Sequence, residues 1–257
     1  MKSSDEMMGN SAFLERVTKL LTADAQLLGM FPDMDLHAAA NAEGLTTEAA
    51  VDVLLAGYAE RPAMAMRDYE ISVDAETGSR QRQYLPSFNT VSYGDFRSQV
   101  QSIASAWRHD PTRAVHPDEF VCIIGFTSID YAAIDLACLY AQAVSVPLQS
   151  TTSGADFDEI FANVEPVAVA ATIADLVVAA EHVAKQGGVR NLIAFDFDER
   201  DDNDQKLFQQ AQKILSDAGS QAQLLTLASL VQVGAGYDWQ VLPAHPEGVD
   251  RMAMILH

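Results

Sequence analysis

An acidic run holds the densest group of possible metal ligands in the chain. It covers residues 196–204 and reads DFDERDDND. A calcium-binding loop of the EF-hand type carries glycine at its sixth position and glutamate at its twelfth. Counted from Asp196, those positions hold Asp201 and Leu207, so the run lacks the calcium pattern. We therefore expect a solvated acidic loop that leads into a helix capped by Asp204.

The turn Gly125-Phe-Thr-Ser128 is a second place where chemistry could occur, because it joins an apolar strand to a helix. In α/β enzymes such turns carry nucleophiles or bind ligands. This turn lacks the G-x-S-x-G pattern of a nucleophile elbow. We expect a helix-capping turn in which the Thr127 hydroxyl is the cap and Asp130 lies at the positive end of the helix dipole.

Glycine-rich phosphate-binding patterns are missing from the sequence. No G-x-G-x-x-G follows a strand, Gly234-Ala-Gly236 lacks the third glycine, and there is no G-x-x-x-x-G-K-[ST]. The residues taken alone predict no phosphate-binding loop among these 257 positions.

Histidines and cysteines show no spacing typical of metal ligands. The six histidines include no pair four residues apart, and no cysteine stands beside them at ligand spacing. Cys122 and Cys138 fall on a predicted buried strand and a predicted buried helix face, so we expect two free, buried thiols. No Ser, His and Asp set can be assembled. The sequence thus assigns no catalytic, cofactor-binding or metal-ligating residue to this chain.

The composition argues against two classes of partner. There are 36 acidic and 16 basic residues, which give a formal net charge of −20. Nucleic acids and anionic membrane surfaces favour basic patches, so we expect neither as a partner. The first residues carry no secretory signal, and no stretch reaches the roughly 20 apolar residues of a spanning helix. With the free thiols, these features predict a soluble, cytoplasmic protein.

The element that positions the central turn is a strand–helix–strand unit over residues 120–149. An apolar run from Phe120 to Ile124 predicts a buried strand, and helical spacing follows from Ile129 to Tyr140. Val144 to Pro147 predicts a second strand, closed by the proline. Such a unit predicts parallel strands joined by a right-handed crossover.

The same alternation continues through the rest of the chain. Further strands are predicted over residues 167–171, 191–195, 223–227 and 252–256, with helices between them. Residues 63–91 predict a hairpin with a charged tip, whereas residues 11–31 and 46–59 show helical spacing. The predicted fold is α/β, a mostly parallel open sheet with helices on both faces over residues 51–257, preceded by a helical appendage over residues 1–50.

Several strings in this order resemble a known family. They are Tyr58-Ala-Glu-Arg-Pro-Ala63, Trp107-Arg-His-Asp-Pro111, Phe126-Thr-Ser-Ile-Asp-Tyr131 and Ala143-Val-Ser-Val-Pro-Leu-Gln149. Together they resemble the adenylation domain of the bacterial carboxylic acid reductases, within the adenylate-forming superfamily. The resemblance covers roughly residues 50–257 and departs at Gln142, where the family has glycine. We expect the helix end there to be capped differently.

The resemblance implies an activity for a longer protein. In these reductases ATP and Mg²⁺ activate a small-molecule carboxylic acid as an acyl-adenylate, a carrier domain takes the acyl group on phosphopantetheine, and an NADPH-dependent reductase domain releases an aldehyde. The family strand corresponding to Met252–Leu256 leads directly into the loop that holds the ATP phosphates. We expect Met252–Leu256 to be an inner strand of the sheet and the chain to be a fragment that stops before that loop. Such a fragment would be inactive alone.

Two other interpretations of the sequence remain open at this point. One is a fragment of a fatty-acyl-CoA ligase or of a peptide-synthetase adenylation domain. The other is a non-catalytic α/β interaction module, which is consistent with the lack of a complete site.

Overall fold

Five parallel strands form the central sheet of the structure, a computed structural model that describes residues 4–24, 30–149 and 154–256. In chain order the helices and strands are α1 (Ser4–Ala23), α2 (Met34–Ala40), α3 (Thr47–Gly57), β1 (Pro62–Val73), β2 (Arg80–Ser92), α4 (Tyr93–His109), β3 (Phe120–Ile124), α5 (Ile129–Tyr140), β4 (Val144–Leu148), α6 (Gly154–Val164), β5 (Ala168–Thr172), α7 (Leu176–Val183), β6 (Asn191–Phe195), α8 (Asp202–Asp217), β7 (Gln223–Thr226) and α9 (Leu227–Gly234). A short 3₁₀ turn covers Gly248–Asp250.

The sheet has the strand order β4-β3-β5-β6-β7, and every neighbouring pair is parallel. The chain passes from β3 to β4 on one side and then returns to β5 on the other side of β3. The strand order therefore reverses between β3 and β5, beside which open α/β sheets commonly bind ligands. The predicted α/β class is confirmed.

Each face of the sheet carries its own apolar core. Helices α4, α5 and α9 pack on one face against Ile123 and Ile193. Helices α6, α7 and α8 pack on the other face against Cys122 and Val169. Because side chains alternate between the faces of a strand, strands buried on both faces need continuous apolar runs, such as Phe120–Ile124.

Strand β4 lies at one side of the sheet and continues one residue past Pro147, so the prediction that Pro147 closes the strand is wrong by one position. Val144 N–H donates to Glu119 O on the β3 side, whereas Ser145 N–H donates to Ala253 O on the outer side. Backbone directions alternate along a strand, so the nitrogen of Pro147 also points outward. Proline is tolerated there because β3 needs no donor from it.

The segment 252–256 runs along the outer side of β4. A single parallel bridge joins Met254 to Ser145, and Ile255 N–H donates to Ser145 O at 2.9 Å. The prediction of a full inner strand is therefore wrong for the residues described, where the segment makes only one bridge, at the rim of the sheet. Met252, Met254 and Leu256 are exposed there.

Strands β1 and β2 form the predicted hairpin, which is antiparallel. It is longer than expected, because both strands run several residues past the apolar positions that marked them. The register changes between Arg67 and Tyr69, where residues 85–87 of β2 form an irregular insertion. Asp74 closes the tip by accepting from Thr77 N–H at 2.7 Å and from Glu76 N–H at 3.0 Å.

The residues that cap the helices differ from prediction at two helix starts. Ser92 caps α4, as its Ser-x-x-Asp pattern indicates. The cap of α5 is Ser128 rather than Thr127, and the cap of α8 is Asp201 rather than Asp204. Ser128 and Asp201 both have the extended backbone of an N-cap residue. A sequence pattern locates that position only to within a few residues.

Helix α5 ends in a Schellman motif in which Gln142 takes the left-handed conformation, with φ of 56°. Ala143 N–H donates to Cys138 O and Gln142 N–H to Leu139 O, which is the hydrogen-bond pair of that motif. Its side-chain amide donates to Glu48 Oε1 at 3.1 Å and to Pro243 O at 2.8 Å. The expectation of a different cap at Gln142 is therefore wrong, because the turn is of the type that glycine usually forms, with the longer side chain adding two hydrogen bonds.

The chain divides into two compact units, residues 1–45 and residues 46–257. In the first, Asp33 caps α2 by accepting from Asp35 N–H and Leu36 N–H. Helix α3 belongs to the second, since Asp52 accepts from Arg97 Nε at 2.8 Å and from Tyr140 Oη at 2.9 Å. The appendage boundary near residue 50 stays a prediction. Among the described residues no helix combines the length and apolarity needed to cross a bilayer.

Three predicted positions cannot be compared with the structure. The helical spacing of residues 11–31 places Ala25 and Leu28 on an apolar stripe, and the sequence predicts Ser153 as the cap of the helix that follows it. These three residues lie outside the described residues.

Candidate functional site

The acidic run 196–204 lies at the carboxyl edge of the sheet, directly after β6. The prediction of a solvated loop is wrong, because Asp198, Asp201 and Asp204 are all buried. They are covered by the hairpin, which lies more than a hundred residues earlier in the chain. The sequence of the acidic run does not indicate which distant segment will cover it.

Arg82 of β2 makes the central contacts between the hairpin and this run. Its main-chain N–H donates to Asp201 Oδ2 at 2.9 Å, and its guanidinium donates to Asp204 Oδ2 at 2.5 Å and to Asp196 O at 2.8 Å. The Arg82 side chain is 18 % exposed and that of Asp204 7 %. An ion pair this enclosed tolerates the loss of one partner poorly, because the other charge stays buried.

Two further residues of the hairpin bind the same run. Arg80 donates to Asp202 through its main-chain N–H at 2.7 Å and through its guanidinium at 2.8 Å. Tyr69 Oη donates to Asp198 Oδ2 at 2.9 Å. The bidentate guanidinium of Arg200, assisted by the Tyr69 hydroxyl, holds the pKa of Asp198 far below its ordinary value. Asp198 therefore remains an anion at any physiological pH.

Asp196 behaves in the opposite way. Burial, followed by the charge of Asp130, raises its pKa from 3.8 to about 6, although a hydrogen bond from Ser128 and the charge of Arg82 lower it. Asp196 has a positive φ of 54°, and its N–H donates to Asp130 Oδ2 at 3.1 Å. Gln99 Nε2 donates to Asp130 Oδ1 at 2.9 Å. A carboxyl group with such a pKa exchanges its proton close to neutral pH, as general acids and bases do.

These groups face a cleft of about 510 Å³ between the hairpin and the carboxyl edge of the sheet, which we call the hairpin cleft. It is lined by Met66, Arg67, Tyr69, Arg82, Tyr84, Val91, Gln99, Ser128, Ile129, Asp130, Asp196 and Phe197. A second cleft of about 500 Å³ lies between α4, α9 and the end of β6. Gln99, Asp130 and Phe197 line both. The hairpin cleft is the candidate functional site of the described structure.

The sequence marked Asp130 and Asp196 only as a helix-cap residue and as part of a loop, and it did not single out Arg82 or Tyr69. One signal was available. Arg80 and Arg82 are two apart, so they project from the same face of a strand, and a basic pair of this kind suits an acidic run elsewhere in the chain.

The glycine patterns have packing roles. Gly125 has a φ of 145°, and a Cβ atom there would lie 2.3 Å from Thr172 Cγ2. Gly234 ends α9 so close to α4 that a Cβ atom would lie 1.6 Å from Ser102 O. The capping-turn interpretation of residues 125–128 is confirmed, with Ser128 as the cap.

The two thiols and the histidines of the described residues do not line the hairpin cleft. Cys122 and Cys138 are free and buried in opposite cores, as predicted, and burial raises the pKa of both thiols. His182 pairs with Asp158 at 2.6 Å and His245 with Asp118 at 3.0 Å. In the described part of the chain, no three His, Cys, Asp or Glu side chains are arranged to hold a metal ion.

Comparison with known proteins defines the class of this chain. The sequence pattern of the AMP-binding enzyme family matches residues 70–255, and the chain belongs to that family.

Within it, the chain is similar to the carboxylic acid reductases. It is 31 % identical over 244 residues to the carboxylic acid reductase of Segniliparus rugosus and 31 % identical over 245 residues to that of Mycobacterium tuberculosis. The alignments cover 95 % and 94 % of this chain but 20 % of each relative. The chain thus spans about a fifth of the length of these relatives.

Solved structures give the same result. The A-PCP didomain of the Segniliparus rugosus reductase, in complex with AMP, matches 94 % of this chain and 34 % of its own with a TM-score of 0.89 at 31 % identity. The A domain of the same enzyme, in complex with AMP and a co-purified carboxylic acid, matches 93 % of this chain and 38 % of its own with a TM-score of 0.89 at 32 % identity. The resemblance read from the sequence is confirmed.

Proposed function

We propose that this chain forms part of an adenylation domain that activates a small-molecule carboxylic acid as an acyl-adenylate. The observation that carries the proposal is the match of 93 % of the chain to an A domain in complex with AMP and a carboxylic acid, with a TM-score of 0.89. In the complete protein, ATP supplies the adenylyl group and Mg²⁺ offsets the phosphate charge.

The remaining steps of the proposed reaction are carried out by other domains that act together with this one. A phosphopantetheine carrier domain accepts the acyl group as a thioester, and a reductase domain uses NADPH to release the aldehyde. The carrier proposal is supported by the A-PCP architecture of the Segniliparus rugosus didomain. A cytoplasmic location, where ATP and NADPH are available, agrees with the two free thiols.

The described residues do not themselves fit the phosphates of ATP. The hairpin cleft presents the carboxyl groups of Asp130 and Asp196. Of its two arginines, Arg82 is bound to Asp204, and Arg67 donates through Nε to Leu85 O at 3.1 Å. Triphosphate binding in proteins uses backbone N–H groups of glycine-rich loops together with unpaired cations. We therefore derive no step of phosphate chemistry from this cleft and infer that the chain alone is inactive.

The proposal can be tested with a chimera in which this chain replaces the matched 244 residues of the Segniliparus rugosus reductase. Carboxylate-dependent oxidation of NADPH is measured with a panel of aromatic and aliphatic acids. We expect turnover with at least one acid, because the replaced part preserves the fold. A chimera that melts cooperatively but oxidises no NADPH with any acid would contradict the proposal.

A further inference from the structure

We propose that the distal half of the hairpin, Tyr69–Val73 with Arg80–Tyr84, is a lid over the hairpin cleft, and that rising pH promotes its opening through the carboxyl group of Asp196. This inference does not depend on the proposed function. It combines a joint within the hairpin, a polar attachment to the acidic run and a half-buried acid beneath the hairpin.

The joint is the irregular register of the hairpin. Arg67 pairs with Phe88 and Tyr69 pairs with Tyr84, so β1 advances by two residues where β2 advances by four. The additional residues of β2 include Pro86, which has no N–H to donate to the ladder. Insertions of this kind interrupt the hydrogen bonding and bend the ribbon. The distal half can therefore move relative to the proximal half, Met64–Arg67 with Phe88–Val91.

The distal half is attached to the body mainly by polar groups. Arg80, Arg82 and Tyr69 bind the acidic run through the contacts described above, whereas Val73 and Tyr84 are 65 % and 57 % exposed. Little apolar surface is therefore lost from contact when this half moves away, and water can replace the polar contacts. Segments held in this way open at lower free energy than packed strands.

Closing the lid covers Asp196, because Tyr69, Arg82 and Tyr84 of the distal half line the same cleft. In the closed form, burial and the charge of Asp130 hold the pKa of Asp196 at about 6.

The charged and titratable groups around Asp196 come from four elements. They are Arg67 and Tyr69 on β1, Arg82 and Tyr84 on β2, Asp130 on α5, and Asp204 on α8. The charge of Arg82 lowers the pKa of Asp196, whereas those of Asp130 and Asp204 raise it.

Opening returns the carboxyl group to water, where its pKa falls toward the ordinary value of 3.8. The closed form thus holds a proton that the open form releases, so the open population increases as pH rises between about 4 and 6 and then levels off. Between pH 5.0 and 7.5 a full return to 3.8 would increase the opening equilibrium by about tenfold. This is the upper limit, because the charge of Asp130 on α5 stays beside Asp196 and the charge of Arg82, which lowers the pKa, leaves with the lid.

Amide hydrogen exchange on the full chain tests the lid. Exchange is followed at pH 5.0 and pH 7.5, with correction for the intrinsic effect of pH on amide chemistry. We expect the protection of the distal half to fall severalfold, by at most about tenfold, at the higher pH, while protection of the proximal half stays constant. Constant protection of the distal half, or an equal loss in the proximal half, would overturn the proposal, and this comparison needs no variant.

Two substitutions test separately the titration of Asp196 and the polar attachment of the hairpin. Asp196→Asn keeps the shape of the side chain, and asparagine also accepts the left-handed backbone, so the pH effect should disappear without loss of folding. Tyr69→Phe removes the hydrogen bond to Asp198 and should weaken protection at both pH values while the ratio between the two pH values remains. A pH response of the same size in Asp196→Asn as in the parent would show that another group controls the hairpin and would refute the role of Asp196.

Discussion

At the scale of single residues, Asp196 carries the largest consequence of long-range packing. Its carboxyl group is half-buried beside Asp130, and its backbone lies in the left-handed region. Burial and the charge of Asp130 disfavour the ionised carboxylate, whereas the hydrogen bond from Ser128 and the charge of Arg82 partly offset them. The outcome is an acid that titrates near neutrality.

The stability of the chain should depend on pH through this group. The folded protein keeps the proton of Asp196 up to about pH 6, whereas the unfolded chain releases it near 3.8, so folding loses stability as pH rises through this interval. Asp196→Asn removes this pH-dependent loss of folding stability, because asparagine does not ionise. We expect the variant to exceed the parent in free energy of unfolding by roughly 1–3 kcal/mol at pH 7 and to equal it below pH 4.

Urea unfolding at both pH values measures this difference. Asp238→Asn, which makes the same change of charge at an exposed position, is the matched control. A gain at pH 7 that is no larger for Asp196→Asn than for Asp238→Asn would show that the acid is not destabilised by burial.

Gln142 allows the cost of a left-handed backbone to be separated from the value of its side-chain contacts. Gln142→Ala and Gln142→Gly both remove the amide that binds Glu48 and Pro243, but only glycine adopts the positive φ without strain. We expect the alanine variant to be less stable than the glycine variant by about 1 kcal/mol. Denaturant unfolding of the pair checks this, and equal stabilities would contradict the Schellman geometry.

At the scale of elements, the strands and helices of the sheet could be predicted from the spacing and length of apolar runs in the sequence, because each element is formed by residues that are neighbours in the chain. Phe120–Ile124 and Asn191–Phe195 were predicted to the residue. The acidic run was misjudged, since its burial depends on Arg82, which is 114 residues from Asp196. The hairpin cleft could not be predicted for the same reason: its walls come from the hairpin, α4, α5 and the loop after β6.

The close approach of α9 to α4 gives a prediction at this scale. Gly234→Ala would place a Cβ atom against the main chain at Ser102, so one of the helices must shift. We expect a loss of 1–3 kcal/mol in the free energy of unfolding, or more if the helices cannot separate. Gly187→Ala is the control, since an added Cβ there meets nothing within 4 Å. Thermal or urea unfolding of both variants measures this loss. Similar stabilities for the two variants would refute the tight contact between α9 and α4.

At the scale of the whole molecule, the chain has the layered α/β order of an adenylation domain but spans about a fifth of its curated relatives. Family strings such as Phe126–Tyr131 allowed the class to be inferred from the sequence. They could not supply an active site, because the described residues include no phosphate-binding loop and no metal-ligand cluster. The rim position of residues 252–256, with exposed Met252 and Leu256, also differs from the inner strand expected by analogy.

Carboxylate-dependent exchange of pyrophosphate into ATP tests the central claim most directly, because it reports acyl-adenylate formation without the carrier or the reductase. It is measured for the chimera with the Segniliparus rugosus reductase and for the 257-residue chain alone, with cooperative melting of each as the control for folding. We predict exchange by the chimera and none by the chain. Exchange by the chain alone, or a folded chimera that gives none with any acid, would contradict the account.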